Sequence, residues 1–244
     1  MKPVVSIIMP AYNAATTLSA AIDSVQRQTG LAWELLVIDG GSTDNTTAII
    51  DQLAGEPNIR CFSEPDLGIY DAMNKGINRA KGDWLYFLGA DDQLMPQALT
   101  TAAKNFTSAY KVVFGDVQFE NGYRMQSYLG PRTWLQNTLH HQAAFYHRSI
   151  FDDFRYDLSL QLLADYELNL LVYQHQWPVY YTGQLVAMCH SGGASSNWTK
   201  SLKETNIVRK RFLKQGWKQA LLSTALFLYY GQKRLRRKLY GHKI

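Results

Sequence analysis

The chain has 244 residues, of which 46% are hydrophobic and 18% charged, and a net charge of +5. That size and balance suit one large globular domain, with or without an appendage, and exclude a disordered chain. No run reaches the roughly 18–20 apolar residues needed to cross a bilayer, and no secretory leader pattern precedes the first apolar run.

The charge is uneven. From residue 205 onward there are 11 Lys/Arg and no Asp or Glu, which leaves 14 basic against 20 acidic residues, a net of −6, in residues 1–204. An acidic body carries a basic tail, and the two are expected to meet different partners. The organisation expected is a body over 1–204, with halves at 1–92 and 93–204, and a helical tail over 205–244. Cys61 and Cys189 lie far apart in apolar contexts and read as free thiols in a reducing compartment.

Residues 4–9 are a β-branched run, expected to be a buried strand ended by Pro10-Ala11-Tyr12-Asn13. Residues 17–29 have helical spacing, with Thr16 or Thr17 as cap. Residues 34–38 form a second buried strand, ending at Asp39-Gly40-Gly41. Ser42-Thr43-Asp44 then opens a helix through Leu53, its side-chain oxygens capping backbone N–H groups. A third strand over 59–63, a loop over 64–68 and a helix over 69–81 follow, the helix closed by Gly82 at the C′ position. Residues 84–88, Trp-Leu-Tyr-Phe-Leu, are short, apolar and aromatic, as in a strand buried on both faces. After Asp91-Asp92 the expected elements are a helix (96–106), a strand (111–117), an aromatic loop (122–134), a strand (140–146), a helix (162–175), a short strand (179–182) and a flexible segment (191–196).

Strand and helix alternate through residue 92, which predicts an α/β fold with a mostly parallel sheet and helices on both faces. Such sheets bind ligands at the carboxyl ends of their strands, where Asn13, Asp39 and Asp91-Asp92 fall. Two adjacent carboxylates there are costly unless a cation neutralises them, and a hard divalent metal does so. On that stretch alone, a turn with an Asp helix cap before Met95-Pro96 fits as well.

Four segments in order carry a more specific pattern: Ser6-Ile7-Ile8-Met9-Pro10-Ala11-Tyr12-Asn13, Val37-Ile38-Asp39-Gly40-Gly41-Ser42-Thr43-Asp44-Asn45-Thr46, Gly68-Ile69-Tyr70-Asp71-Ala72-Met73-Asn74-Lys75-Gly76 with Ala80-Lys81-Gly82-Asp83, and Leu88-Gly89-Ala90-Asp91-Asp92. Together they resemble the family 2 glycosyltransferases, inverting nucleotide-sugar enzymes with a Rossmann-like GT-A fold. The resemblance continues more weakly at His141-Gln142, Ala164-Asp165 and Gly192-Gly193-Ala194-Ser195, and does not cover the tail.

The resemblance implies a donor pocket. The ring of Tyr12 would lie on the nucleotide base beside Pro10 and Ala11. Asp39 would accept a hydrogen bond from the base, and Gly68 and Asn74, with Lys75 beside it, would flank the donor. Asp91 would hold the ribose or a metal-bound water, and Asp92 would ligate Mn2+ or Mg2+ at the two phosphates. Many members read Asp-Ala-Asp-Asp where this chain has Gly89 first, so only Asp91 and Asp92 remain for the metal. Asp165 would be the base that takes the acceptor proton, and His190 a further candidate metal ligand. From the residues alone each has a plainer alternative: a packed Tyr12, a cap at Asp39, a solvated Lys75, a helix-dipole carboxylate at Asp165, a structural His190. His140-His141-Gln142 would line the acceptor pocket. Tyr123, Tyr128 and Trp134 would stack on sugar or simply pack their loop.

In the tail, an apolar run over 220–230 precedes Lys233-Arg234-Leu235-Arg236-Arg237-Lys238. Apolar residues flanked by basic ones suit an anionic membrane surface. A helical pair folded back on the body fits too. Nucleic acid is disfavoured, because the body is acidic and no nucleic-acid motif is present. The expectation is a metal-dependent inverting glycosyltransferase for a nucleotide-diphosphate sugar and a glycan or lipid-linked acceptor in surface polysaccharide assembly. It would be cytoplasmic, peripheral on the inner face of the cell membrane. The rivals are a nucleotidyltransferase on a similar sheet, against which stands the lack of a glycine-rich basic phosphate loop, and a non-catalytic sugar-nucleotide or membrane scaffold.

Overall fold

The computed structural model describes residues 2–190 and 198–240. The flexible segment expected at 191–196, and the weak resemblance at 192–195, lie outside the described residues. β1 (Val5–Ala11), α1 (Leu18–Gln26), β2 (Trp33–Asp39), α2 (Thr46–Asp51), β3 (Ile59–Ser63), α3 (Ile69–Arg79) and β4 (Trp84–Phe87) build the first half. β5 (Gln93–Leu94), α4 (Ala98–Ala103), β6 (Val112–Phe119), β7 (Arg124–Met125), β8 (Ala144–His147), α5 (Ala164–Gln174), β9 (Val179–Cys189), α6 (Trp198–Phe212) and α7 (Gly216–Tyr240) follow.

The sheet runs β3-β2-β1-β4-β8-β6-β9-β5, with β7 on β6. The first four strands pair in parallel. β8 then enters antiparallel to both β4 and β6, β9 runs parallel to β6, and β5 is antiparallel to β9. The sheet is thus parallel where the strand–helix rhythm holds and mixed where it breaks. β1 shows why these strands read as unbroken apolar runs. Val5, Ile7 and Met9 pack with Leu18, Ile22 and Val25 of α1, while Ile8 packs with Tyr70, Met73 and Ile77 of α3. Both faces are core, so alternation is lost. From β3 the chain returns past β2 and β1 to β4, so the strand order reverses between β1 and β4. A crevice forms at the carboxyl ends of strands at such a point.

Several boundaries differ from the sequence reading. β1 continues through Pro10 to Ala11. Ala11 O accepts from Gly40 N–H at 2.9 Å on the β2 side, so Pro10 faces β4, whose pairing has already ended at Ile8–Phe87. No ladder bond needs its missing N–H. Gly82 is not a left-handed cap: α3 ends at Ala80 in extended conformation. Glycine is needed there because a Cβ would lie 2.5 Å from Ser6 N. The helix read from Ser42 begins at Thr46, since Ser42 is engaged elsewhere. The strand read at 140–146 begins at Ala144, after a 3-10 turn at His141–Ala143. β9 runs well beyond 182, because a bulge opposite Gly115 carries pairing past Gly183. Both cysteines are free.

The change of charge at residue 205 falls inside α6. The Glu204 carboxylate accepts from the N–H groups of Gln161, Leu162 and Leu163 at 3.1, 2.9 and 3.0 Å, capping the entry to α5 from another helix. Val208 is buried in the main core, and Arg211 pairs with Glu167 at 2.6 Å and with Asp157. α7 lies on α6 with a Ser223–Asn206 hydrogen bond of 2.7 Å, and its Leu226 and Gln219 are buried. Its opposite face is apolar and open, with Trp217, Leu221 and Leu228 at 67%, 63% and 64% exposure. Among the described residues no helix is long and apolar enough to cross a membrane.

Candidate active site

The crevice is edged by the loops after β1, β2, β3 and β4. Tyr12 leaves β1 exposed at the lip, with the backbone of Pro10 and Ala11 beneath it. The next residue, Asn13, donates its N–H to Ser42 Oγ at 2.8 Å and accepts the Thr43 N–H at 2.9 Å, lacing the first two loops together. Asp44 tightens the lacing by accepting from Thr46 and Ala15 N–H groups, and the Thr46 bonds first among these hold its carboxyl below the ordinary range. Asp39 lies deeper and is fully buried. Its oxygens accept from Ser42 Oγ and Ser63 Oγ, both at 2.5 Å, and from the Ser42 N–H. The Ser42 N–H is shared with the second oxygen, at 3.3 Å, so each oxygen of Asp39 accepts twice.

Gly68 starts α3 with φ 115°, a left-handed value that suits glycine. Its N–H donates to Asp66, whose carboxylate presses against Gly40 where a Cβ would not fit. Asn74 is not at the crevice. Its Nδ2 donates to Tyr156 O at 2.8 Å and its Oδ1 accepts the Tyr156 N–H at 3.0 Å, because the loop before α5 covers this side of α3. Lys75 is not merely solvated: its Nζ donates to Pro65 O at 2.7 Å.

Asp91 is exposed and Asp92 buried, one after the other beyond β4. Asp92 accepts the His190 N–H at 2.9 Å on one oxygen and Gln142 Nε2 on the other. Burial, then the charge of Asp91, pushes its carboxyl above the ordinary range. A Cβ on Gly89 would lie 2.6 Å from Asp92 Oδ2 and 2.7 Å from Asp91 Oδ1. Both carboxylates therefore face one small opening. Two hard oxygens in mutual repulsion fit a hard divalent cation that takes its other ligands from phosphate and water. Among the described residues no group of three His, Cys, Asp or Glu would hold a metal by itself. The His190 ring turns instead to Glu120, 2.8 Å away, which raises its pKa.

Asp165 stands on the first turn of α5, mostly buried. Its Oδ2 accepts from Asn137 Nδ2 at 2.8 Å and lies 3.6 Å from His141 Nδ1, while Tyr70 Oη is 3.5 Å from Oδ1. Glu167, two residues on, points away to Arg211. The turn His141–Ala143 joins the two acid centres, because His141 faces Asp165 and Gln142 faces Asp92. Beneath it His140 stacks on His141, and burial pushes its pKa down to about 3, which keeps it neutral. Sequence reasoning assigned Gln142 to an acceptor wall and missed Asn137. A lone amide in a buried apolar stretch requires a partner, and that was the signal available for Gln142.

The profile of glycosyl transferase family 2 matches residues 6–166. The "PGL/p-HBAD biosynthesis glycosyltransferase" of Mycobacterium bovis (strain BCG / Pasteur 1173P2) is 35% identical over 222 residues, covering 87% of this chain and 84% of that protein. Among solved structures, S. aureus TarS 1–349 in complex with UDP-GlcNAc superposes with a TM-score of 0.72 at 15% identity, over 100% of this chain and 77% of that one. A mannosyltransferase of Pyrobaculum calidifontis in complex with GDP-Man and Mn2+ gives 0.66 at 16%, over 93% and 70%. These likenesses identify the fold as GT-A. The chain belongs to glycosyl transferase family 2 and is a glycosyltransferase of glycan synthesis.

Proposed function

We propose that the chain moves a sugar from a nucleotide-diphosphate sugar to an acceptor hydroxyl with inversion at the anomeric carbon. The observation that carries this is the pairing of two unlike acid centres across the His141–Ala143 turn. Tyr12, Pro10, Ala11, Asp39 and Gly68 bind the donor. Asn74 stays in its bracket on Tyr156 and has no donor contact. Asp91 and Asp92 would hold Mn2+ or Mg2+, with the His190 ring as a ligand only after leaving Glu120. When bound, the metal supplies Lewis-acid stabilisation of the departing nucleoside diphosphate. Asp165 takes the acceptor proton as that oxygen attacks from the side opposite the diphosphate. The bound UDP-GlcNAc and GDP-Man of the structural neighbours support a nucleotide-sugar donor.

The experiment is turnover with a panel of UDP-, GDP- and TDP-sugars, with and without Mn2+. Release of free nucleoside diphosphate and an inverted glycoside by NMR are expected. Pyrophosphate release would favour the nucleotidyltransferase, and binding without turnover the scaffold.

The second part concerns place. The division into a donor half (1–92), an acceptor half (93–204) and a basic tail (205–244) is read as catalysis held at an anionic membrane surface, on the cytoplasmic face, where a lipid-linked or growing polysaccharide acceptor is met. The open apolar face of α7 supports it. The deletion that tests it removes residues 216–244 and keeps α6, whose Glu204 caps α5. Loss of co-sedimentation with phosphatidylserine vesicles is expected, and unchanged binding would refute the attachment.

A further inference from the structure

We infer that Asn137 is a positioning residue for Asp165, and that Asn169 fixes it in a one-way hydrogen-bond relay. This rests on reading Asp165 as the base. Asn169 lies one helical turn after Asp165 on α5 and is fully buried. Its Nδ2 donates to Leu139 O at 2.7 Å and to Asn137 Oδ1 at 3.0 Å, while its Oδ1 accepts from Tyr146 Oη at 2.8 Å. A backbone carbonyl only accepts, so the Leu139 contact decides which end of the Asn169 amide is nitrogen. Asn137 must then present its oxygen to Asn169 and its nitrogen to Asp165. The direction of the chain follows from one carbonyl three residues removed from the acid.

The consequence is chemical. An N–H fixed on Oδ2 favours the ionised carboxylate and disfavours a proton on that oxygen. The arriving proton is steered to Oδ1, which among the described residues is approached by Tyr70 Oη at a loose 3.5 Å. Asp165 is thus held ready to accept, with its free oxygen chosen in advance. The titratable groups facing it are His141 and His140 from the turn, Tyr70 from α3, Tyr146 from β8 and Tyr156 from the loop before α5. None of these replaces the amide on Oδ2 at bonding distance.

The test compares kcat, donor KM and the pH profile of kcat for the full chain and for Asn137→Ala, Asn137→Asp and Asp165→Asn. Asn137→Ala should lower kcat roughly tenfold, leave donor KM unchanged and move the acid limb up by about one pH unit, since one unit corresponds to a tenfold change in proton affinity. Asn137→Asp, which puts a like charge on Oδ2, should move it further. Asn137 is half-buried in a loop, and melting curves will establish that both variants fold. Wild-type profiles in both, with Asp165→Asn inactive, would overturn the relay and leave the base standing. A lower kcat with an unmoved acid limb would reduce Asn137 to a structural residue and also overturn it. Full turnover by Asp165→Asn would remove the base itself.

Discussion

The acids after β4 and the acid at the start of α5 are built in opposite ways. Asp92 is buried beside a like charge, and burial and Asp91 both push against its ionisation. It is a site in want of a cation. Asp165 accepts a hydrogen bond from Asn137 Nδ2 at 2.8 Å, with the His141 ring 3.6 Å away. It is a site in want of a proton. One fold holds the two together through a single 3-10 turn, and the division of labour follows from what surrounds each carboxylate rather than from the residue type.

The largest expected effect lies at the proton site. Asp165→Asn keeps the size and the Asn137 contact but cannot accept a proton. Turnover should fall about 10²- to 10⁴-fold, the usual contribution of a positioned base, while donor binding by thermal shift is unchanged. Surviving turnover would mean that the two centres do not share one reaction.

The cation site breaks differently. A carboxyl whose folded pKa is raised above its unfolded value costs stability at neutral pH, and the cost fades as pH falls through the folded value. Asp92→Asn should therefore melt no lower than wild type at pH 7 without metal, with any gain closing toward acid. Gln142 Oε1, buried and without a hydrogen-bond partner among the described residues, can turn to accept from the new amide. Mn2+ should raise the wild-type melting temperature and not the variant's, and its affinity should weaken on acidification at a higher pH than an ordinary carboxylate gives. A destabilised metal-free variant would erase the contrast.

That contrast was half legible in the sequence. Asp92 ends an apolar run whose neighbours on both faces are core, so its place at a strand end followed from Trp84 to Phe87 alone. Asp165 was placed at a helix start by Ala164 and the spacing after it. Their partners were not legible, because Gln142 reaches Asp92 across 50 positions and Asn137 reaches Asp165 across 28. Asn74 could have been read better: it stands one turn after buried Tyr70, on the face that packs. Gly82 misled because a glycine after a helix usually caps it, whereas here the backbone of β1 is what excludes a side chain.

Glu204 sharpens the comparison at smaller scale. Its three N–H bonds tie α6 to the residues just before Asp165, and among the described residues no such tie from α6 reaches Asp92. Glu204→Ala should cost about 1–3 kcal/mol, the range for leaving buried donors unsatisfied, read as a lower melting temperature. Turnover should fall with it, while donor binding and the Mn2+ response of the folded fraction persist. A lost Mn2+ response would show that the tail supports both centres equally.

The smallest effect on chemistry is expected furthest out. Trp217, Leu221 and Leu228 stand on one side of α7, and Leu226, fully buried, on the other. Replacing the outer three by Ser removes little packing beyond the Lys218 contact on the Trp217 ring, so melting temperature and turnover on a soluble acceptor should change little. Binding to vesicles should still fall, since apolar burial and basic charge act together at an anionic interface. Leu226→Ser should do the reverse, lowering the melting temperature by the cost of an emptied core position, about 2–5 kcal/mol for a Leu truncated to a small residue. If the outer triple change destabilised the free protein as much as Leu226→Ser, that face would already be covered in solution. The membrane would then have no apolar surface of α7 left to take up, and attachment would rest on charge alone.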